Sequence, residues 1–166
     1  MNSKTLFLVR HAKSSWKDAS LPDHDRPLNK RGQRDAPVMG RRLARRGVGP
    51  EKIVSSSAAR ALSTAGIIAG ELGLGDEQLR INPRIYGASA DALLTVVHGL
   101  DKSVLRIMLV GHNPGLTEFV NALTGYDIDN VPTCGICVVR LGSVCWKEVD
   151  FGSGELVEFD FPKKPD

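Results

Sequence analysis

The sequence predicts an α/β protein in which helices cover both faces of a mostly parallel sheet, a three-layer α/β/α sandwich. Short apolar runs of strand length alternate with amphipathic helical segments along most of the chain, as in parallel βαβ units. The segment from Gly135 onward has strand character without helices, so we expect an antiparallel hairpin at the C-terminal end. With 166 residues, 42% of them hydrophobic and 25% charged, the composition fits one globular domain over residues 1–166.

Two strand–helix units are predicted in the first half of the chain. Thr5–Val9 is a wholly apolar run, typical of a strand buried on both faces of a sheet. Apolar and small residues recur at helical spacing over Lys30–Arg46, which predicts an amphipathic helix. Ile53–Ser55 is the second strand, and a helix from about Ala58 to Leu72 follows it. The expected helix boundaries are glycine stops and serine N-caps, at Gly47 and Gly73 and at Ser56 or Ser57.

The second half continues this alternation and then becomes rich in strands. Leu79–Ile81 is a weak strand, and Ser89 is the expected cap of a helix over Asp91–Val97. Val104–Val110 is an apolar strand that leads into a helix over Leu116–Leu123. The remaining predicted strands are Gly135–Leu141, Val144–Val149 and Leu156–Phe161, the last two joined by a turn at Gly152–Gly154.

Charge and hydropathy exclude several classes of partner. The 22 Lys and Arg against 19 Asp and Glu give a net charge of +3, too small for a polybasic grip on nucleic acid or on an anionic membrane. The apolar run Leu6–Val9 stops at Arg10, well short of a signal-peptide core or a membrane span. We therefore expect a cytoplasmic protein with no nucleic-acid or membrane partner, of an oligomeric state that the sequence leaves open.

The three cysteines predict neither a disulfide framework nor a metal site. Cys134 and Cys137 form a C-x-x-C pattern in the run Cys134–Leu141, which has strand character, and residues three apart in a strand point to opposite faces. Neither they nor Cys145 have a second cysteine or histidine pair at zinc-ligand spacing. We expect buried, unreactive thiols and no metal or other cofactor.

Two arginines and two histidines follow predicted strands that end at one edge of the sheet. Arg10 and His11 follow the first strand, Arg60 comes after the second, and His112 follows the strand that ends at Val110. Ligands bind at the carboxyl ends of strands in such sheets, so these side chains are expected to share one site. Guanidinium groups bind phosphate bidentately, and an imidazole held at one nitrogen can act as a nucleophile at the other. The set favours phosphoryl transfer without a metal.

Other polar residues near these motifs are candidates for substrate binding. Lys13, Ser14 and Asn113 adjoin the four groups, and we predict that they bind substrate. Arg26 has two open interpretations, a rim arginine that guides an acidic substrate and a loop arginine paired with an aspartate of Asp23–Pro27. Serines at predicted helix starts are further candidate phosphate donors, namely Ser14 and Ser56 or Ser57. Histidines without a motif are interpreted as surface residues, namely His24 and His98.

Three motifs resemble those of the histidine phosphatase superfamily, in the same order and over essentially the whole chain. They are Leu8-Val-Arg-His-Ala-Lys-Ser-Ser-Trp16, Ser55-Ser-Ser-Ala-Ala-Arg-Ala-Leu-Ser-Thr-Ala65 and Val110-Gly-His-Asn-Pro-Gly115. The first of them, followed by Asp25-Arg-Pro-Leu-Asn-Lys-Arg-Gly32, is similar to the SixA type, the phosphohistidine phosphatases. The resemblance implies a phosphoglycerate mutase-like fold.

The resemblance also implies a role for each of the four rim residues. It makes His11 the nucleophile, which attacks phosphorus and carries a phosphohistidine intermediate that water hydrolyses. Arg10, Arg60 and His112 complete the phosphate pocket. Such groups stabilise charge on the transferring phosphoryl, where enzymes of this class obtain most of their rate.

The general acid expected from the resemblance is missing. Asn113 stands where the phytase and acid-phosphatase branch has a carboxylate, and Arg84–Ala88 lacks the Glu of the mutase branch. Asp91 is the nearest carboxylate to that segment, but a first-turn helix residue explains it equally well. A phosphorylated imidazole leaves more readily than an alkoxide, and a chain this short has no room for a large insertion over the site. Both features favour phosphohistidine in a protein as the substrate.

Two other functions remain open on the sequence alone. A small-molecule phosphomonoesterase requires a carboxylate within reach of the leaving oxygen. A non-catalytic phosphate- or phosphoprotein-binding module would lack the nucleophile, and His11 is present. The expected partner is accordingly a phosphorylated protein or a small phosphorylated metabolite.

Overall fold

The computed structural model describes residues 3–142 and 145–164, which form one six-stranded sheet and four α-helices. The strands are β1 Lys4–Arg10, β2 Lys52–Ser55, β3 Leu79–Ile81, β4 Arg106–Gly111, β5 Ile136–Gly142 and β6 Glu155–Asp160. The helices are α1 Lys30–Arg45, α2 Ala59–Leu72, α3 Ala90–His98 and α4 Gly115–Thr124. Within these described ranges no helix is long and apolar enough to cross a membrane.

The sheet is mixed, with the strand order β3-β2-β4-β1-β5-β6. The first four strands along the chain pair in parallel, whereas β5 is antiparallel to both β1 and β6. Arg10 is the register partner of Gly111 at the carboxyl ends of β1 and β4. His11 and His112 therefore leave the same edge of the sheet side by side. The predicted α/β/α fold is confirmed.

Two hydrophobic clusters lie on opposite faces of the sheet, and β1 contributes to both. Leu6 and Leu8 belong to the cluster under α3 and α4, and Phe7 and Val9 to the cluster under α1 and α2. All four side chains are buried, and burial of each contributes about 1.5–3 kcal/mol. The alternation explains why a strand at the centre of this sheet is apolar at every position.

The C-terminal hairpin differs from the prediction. Trp146–Glu148 is a 3-10 turn and not part of a strand over Val144–Val149, whose first residue lies outside the described part of the chain. The indole of Trp146 is buried and donates its Nε1–H to the carbonyl oxygen of Val104 over 2.9 Å. The strand that pairs with β5 is β6, and the predicted turn at Gly152–Gly154 does not join two strands.

The cysteines follow the prediction in two cases out of three. Cys137 lies on β5, and Cys134 precedes that strand with a φ of 63°. They belong to clusters on opposite faces of the sheet, and burial raises the pKa of each thiol to about 12. Both are the unreactive thiols that we expected. Cys145 is exposed, and its predicted burial is wrong because the strand that would have buried it does not form.

Two glycines allow the helices to approach the loops that follow the strands. A Cβ on Gly32, in the first turn of α1, would clash with the carbonyl oxygen of Lys13, and a Cβ on Gly115, at the start of α4, would clash with that of Ala88. The side chain of Asn29 caps α1 by accepting the Gly32 N–H at 2.9 Å. The start of α1 is thus held against the loop that follows β1.

Candidate active site

A pocket of about 210 Å³ lies at the carboxyl ends of β1 and β4. All seven residues that the sequence predicts for the site line it: Arg10, His11, Lys13, Ser14, Arg60, His112 and Asn113. Three further residues complete the lining, namely Trp16, Arg26 and Thr133. The pocket therefore brings together segments that are more than 100 positions apart in the chain.

His11 is held in one tautomer by the backbone. Its Nδ1 lies 2.7 Å from the carbonyl oxygen of Ala12, which can only accept, so Nδ1 carries the proton and Nε2 is unprotonated. The Nε–H of Arg60 approaches that Nε2 at 3.4 Å. Burial, together with the positive charges of neighbouring groups, lowers the pKa of His11 to about 3. At neutral pH the residue is an uncharged imidazole with the electronic state of a nucleophile.

The peptide that holds His11 is itself fixed by α2. The N–H of Ala12 donates to Oγ1 of Thr64 over 2.9 Å, and the Thr64 hydroxyl donates to the carbonyl oxygen of Arg60 over 2.8 Å. Thr64 and Ala12 are fully buried. This chain of bonds joins the loop after β1 to the first turns of α2, so His11 and Arg60 keep a fixed relative position.

His112 presents a donor with no partner in the described structure. Its Nε2 lies 2.7 Å from Oγ of Ser56, which already accepts the N–H of Ala58 at 3.2 Å. That arrangement favours donation from the hydroxyl to Nε2, which leaves the proton on Nδ1. Nδ1 is buried and unpartnered among the described residues, and burial lowers the pKa of His112 to about 4. The ring centres of His11 and His112 are 5.1 Å apart.

The same bonds correct the predicted cap of α2. The N-cap residue is Ala58, which offers no side-chain cap, and not Ser56 or Ser57. The hydroxyl of Ser56 is placed instead between the start of the helix and His112. A serine at this position thus orients a site residue, which the helix-cap pattern does not reveal.

Arg10 contributes a second unsatisfied donor. One terminal nitrogen donates to the carbonyl oxygen of Val131 over 3.0 Å, whereas Nε is buried and has no partner among the described residues. Burial also lowers the pKa of this guanidinium. An unsatisfied buried donor costs about 1–3 kcal/mol. Arg10 and His112, the residues that carry these two donors, both line the pocket, which suits the binding of an oxyanion.

Arg60 is oriented by Asp23, a residue that the sequence reasoning did not assign to the site. Its terminal nitrogens donate to the carbonyl oxygen of Asp23 at 2.7 Å and to Oδ2 of the same residue at 3.0 Å. Only Nε then remains directed at His11. The hydroxyl of Tyr86 donates to Oδ2 of Asp23 at 2.6 Å and, with Arg60, holds the pKa of that carboxyl well below its usual range.

Arg26 forms the predicted loop salt bridge and also lies in the wall of the pocket. It pairs with Asp23 at 3.1 Å, as a loop salt bridge predicts, and it also lines the pocket and is buried. Its guanidinium donates to Oγ of Ser14 at 2.9 Å and lies 3.5 Å from the ring centre of Trp16, as in a cation–π contact. Ser14 forms an isolated bridge with Leu28, so its predicted place at a helix start is wrong.

Two aromatic side chains beside the pocket were not predicted. Tyr86, from the segment in which the mutase branch has a glutamate, places its ring 5.4 Å from that of His112. His24, expected as a plain surface residue, packs edge-on against Tyr86 at 4.8 Å, and its Nε2 lies 2.8 Å from Oγ of Ser57. The expectation for His98 is met, because this residue is exposed.

Asn113 lies on the pocket wall with its side-chain amide already engaged. Its Nδ2 donates to Asn130 and to the carbonyl oxygen of Val131, at 2.8 and 3.0 Å. Its Oδ1 accepts the N–H and the hydroxyl of Thr117, at 3.2 and 2.8 Å. Among the described residues that line the pocket none is a carboxylate, and Asp91 is an exposed residue in the first turn of α3.

Comparison with known proteins identifies proteins that are similar to this chain in sequence and in structure. Residues 6–86 match the histidine phosphatase superfamily (branch 1). An uncharacterized chloroplastic protein of Arabidopsis thaliana is 33% identical over 160 residues, which cover 92% of this chain and 73% of that protein. A crystal structure assigned as phosphohistidine phosphatase SixA from Agrobacterium tumefaciens is similar, with a TM-score of 0.81, 28% identity, and coverage of 96% of this chain and 98% of that one. The protein histidine phosphatase SixA complexed with tungstate shares the fold, with a TM-score of 0.80 at 21% identity over 95% and 97% of the two chains.

Proposed function

The chain belongs to the histidine phosphatase superfamily, and we propose that it hydrolyses phosphohistidine in a protein through a covalent intermediate on His11. One observation carries this proposal. His11, whose Nε2 is unprotonated, lines the same pocket as Arg10 and His112, which each carry a buried donor without a partner among the described residues. A nucleophile and an oxyanion site thus share one cavity.

In the first step Nε2 of His11 attacks the phosphorus atom. The N–H donors of Arg10 and His112 bind the non-bridging oxygens, and the Nε–H of Arg60 joins them when it leaves Nε2 of His11 and frees that lone pair. Together they stabilise the oxygens' charge without a metal. The bond between phosphorus and the substrate nitrogen breaks, and its electron pair goes to that nitrogen. The leaving ring takes up its proton on the distal nitrogen, which solvent reaches, so no acid is needed at the leaving atom.

In the second step water attacks phosphorus, and His11 is the leaving group. Nδ1 of His11 keeps its proton on the carbonyl oxygen of Ala12 throughout, so the ring leaves as neutral imidazole. The water molecule loses a proton to solvent as inorganic phosphate forms. The phosphohistidine on His11 is therefore hydrolysed by the same chemistry that formed it.

The volume of the pocket supports a substrate that inserts only its phosphorylated group and remains otherwise outside the pocket. A volume of about 210 Å³ accepts a phosphoryl group and its leaving ring, but is below the roughly 300–1,000 Å³ typical of pockets that enclose a whole small ligand. Lys13 and Trp16 are exposed at its wall. A phosphohistidine side chain can enter such a pocket while its protein remains at the surface.

The described residues that line this pocket include no carboxylic acid that could protonate the leaving oxygen of an alkyl phosphate ester. Tyr86 occupies the segment where the mutase branch has its glutamate, but its hydroxyl donates to Asp23, which raises the pKa of the phenol. Asp23 itself is held ionised by Tyr86 and Arg60. Neither group is suited to protonate a leaving alkoxide, worth about 10²–10⁴ in rate.

The proposal is tested by phosphate release, with EDTA present, from three substrates. They are a histidine-phosphorylated phosphotransfer domain, phosphoramidate and glycerol phosphate. We expect turnover of the two P–N compounds, at least 100-fold slower turnover of the alkyl ester, and loss of all turnover in His11→Gln, which preserves side-chain size. Turnover confined to glycerol phosphate would indicate a phosphomonoesterase. Tight phosphate binding without turnover of any substrate would indicate a binding module.

A further inference from the structure

A second and larger cavity, of about 560 Å³, lies beside the catalytic edge between β3 and α3. Its floor is apolar and is formed by Val54, Val96, Leu100 and Ile107. Its rim is polar and is formed by Lys52, Arg80, Asn82, Arg84, Thr95 and Asp101. We call this cavity the β3 groove.

The β3 groove exists because the helices leave one face of the sheet edge uncovered. Val54 of β2 and Arg80 of β3 are register partners, so their side chains share a face. That face is the one of α3 and α4, since Val54 packs against their cluster. β3 is the edge strand, and its outer side has no strand partner among residues 3–142 and 145–164. Ile81 on this strand is 57% exposed.

The charge of the groove is positive. Lys52 pairs with Asp101 at 3.0 Å at one end, so these two charges balance. Arg80 and Arg84 are exposed, and neither guanidinium has an ion pair or hydrogen bond with the described part of the chain. Two uncompensated arginines flank an apolar floor, which is the complement of an acidic segment with apolar side chains.

The groove runs towards the active site. Lys52 begins β2, whereas the N–H of Asn82 bonds to the carbonyl oxygen of Ser55 at the carboxyl end of that strand. At roughly 3.3 Å per residue, the groove spans about 10 Å along β2. Arg84 lies at its catalytic end. Tyr86, two residues later, contacts the ring of His112. A chain segment in the groove would be continuous with a side chain in the pocket.

We propose that the β3 groove docks an extended acidic segment of the phosphoprotein substrate, with Arg80 and Arg84 as its charge-recognising residues. This inference rests on the proposed function and adds the chemistry of the partner surface. The open edge of β3 and the apolar floor suit an extended chain, and the two arginines select acidic side chains near the phosphohistidine. Specificity for a protein then lies outside the small phosphate pocket.

The test uses two synthetic phosphohistidine peptides, one flanked by glutamates and one by glutamines, with phosphoramidate as the small substrate. We expect the wild-type protein to turn over the glutamate peptide with at least 10-fold higher kcat/KM. The Arg80→Glu/Arg84→Glu variant should lose this preference and keep its activity on phosphoramidate, which also shows that it folds. The matched control, Arg45→Glu/Lys147→Glu, makes the same change of net charge at exposed residues outside the groove and should keep the preference.

Equal kcat/KM values for the two peptides in the wild-type protein would overturn the docking inference while leaving the proposed function intact. An equal loss of the preference for the glutamate peptide in the control variant would also overturn it. A change of oligomeric state in the groove variant would overturn it too, because it would assign the groove to a second copy of the chain. If no P–N compound is turned over, the proposed function fails. The docking inference is then tested independently of turnover, by the binding of the unphosphorylated, fluorescent glutamate peptide measured by anisotropy. Only the groove variant should bind this peptide more weakly than the wild-type protein.

Discussion

The hydroxyl of Tyr86 donates a hydrogen bond of 2.6 Å to the carboxylate of Asp23. Asp23 in turn holds both terminal nitrogens of Arg60, whose Nε faces His11. Tyr86 also lies against His112. The carboxylate of Asp23 thus links Tyr86, which lies beside His112, to Arg60. The guanidinium of Arg60 in turn lies beside His11.

Asp23→Asn should slow the reaction without unfolding the protein. Arg60 loses its charged partner and the fixed direction of its Nε, so we expect kcat to fall by about 10–100-fold with a smaller change in KM. Tyr86→Phe removes only one bond to the carboxylate and should cost less than 10-fold. Steady-state kinetics on phosphoramidate check both values. A kcat for Asp23→Asn within 2-fold of wild type would show that Arg60 does not need this anchor.

Arg10→Lys should impair oxyanion binding although the charge is kept. A lysine cannot reproduce the separate Nε–H donor of Arg10, which is buried and has no partner among the described residues. We expect tungstate affinity and kcat/KM each to fall by at least 100-fold, about 2.7 kcal/mol. Isothermal titration with tungstate measures the first. Arg41→Lys, an exposed arginine on α1, is the control and should leave the affinity unchanged.

Stability should fall as the pH is lowered below about 6.5. The folded-state pKa is about 3 for His11 and about 4 for His112, both below the ordinary value of 6.5, so in this window the unfolded chain binds more protons. Each histidine then lowers the free energy of unfolding by at most about 1.4 kcal/mol per pH unit, until the pH passes its folded-state pKa. Urea unfolding at pH 7 and pH 5 measures the loss, and His112→Asn should make it smaller. An equal loss in wild type and variant would contradict the assigned protonation state.

Asn113→Ala should destabilise the protein more than it impairs phosphate binding. The amide of Asn113 makes four bonds, to Thr117, Asn130 and Val131, so its loss should cost about 2–4 kcal/mol in the free energy of unfolding. We expect tungstate affinity, measured at a temperature where the variant is folded, to change by less than 5-fold. A large loss of affinity with little loss of stability would make Asn113 a direct ligand.

The sequence predicts the sheet and the four central site residues because both depend on local patterns. Apolar runs mark the strands, and Arg10, His11, Arg60 and His112 follow their carboxyl ends at one edge. The sequence suggests Asp23 only as one of two aspartates, with Asp25, that could pair with Arg26, and the structure shows the pair with Asp23. Its bonds to Arg60 and Tyr86 span 37 and 63 positions and depend on tertiary contacts that local patterns do not encode.

The same limit explains the errors in the second half of the chain. The run Val144–Val149 has strand character in the sequence, but burial of the Trp146 indole and its bond to Val104 favour a turn. The serines before α2 have the chemistry of N-caps, yet Ser56 serves His112. In each case a tertiary hydrogen bond outweighs a local preference of about 1 kcal/mol.

The central claim is that Nε2 of His11 carries the phosphoryl group, and a rapid alkaline quench tests it most directly. The protein is mixed with a ³²P-labelled, histidine-phosphorylated phosphotransfer domain, stopped within milliseconds, digested and analysed by mass spectrometry. We expect a base-stable, acid-labile label on the peptide that contains His11, attached at Nε2 because Nδ1 is bonded to Ala12. His11→Gln should carry no label and release no phosphate. Phosphate release at the wild-type rate by His11→Gln, or a label on any other residue, would contradict the mechanism.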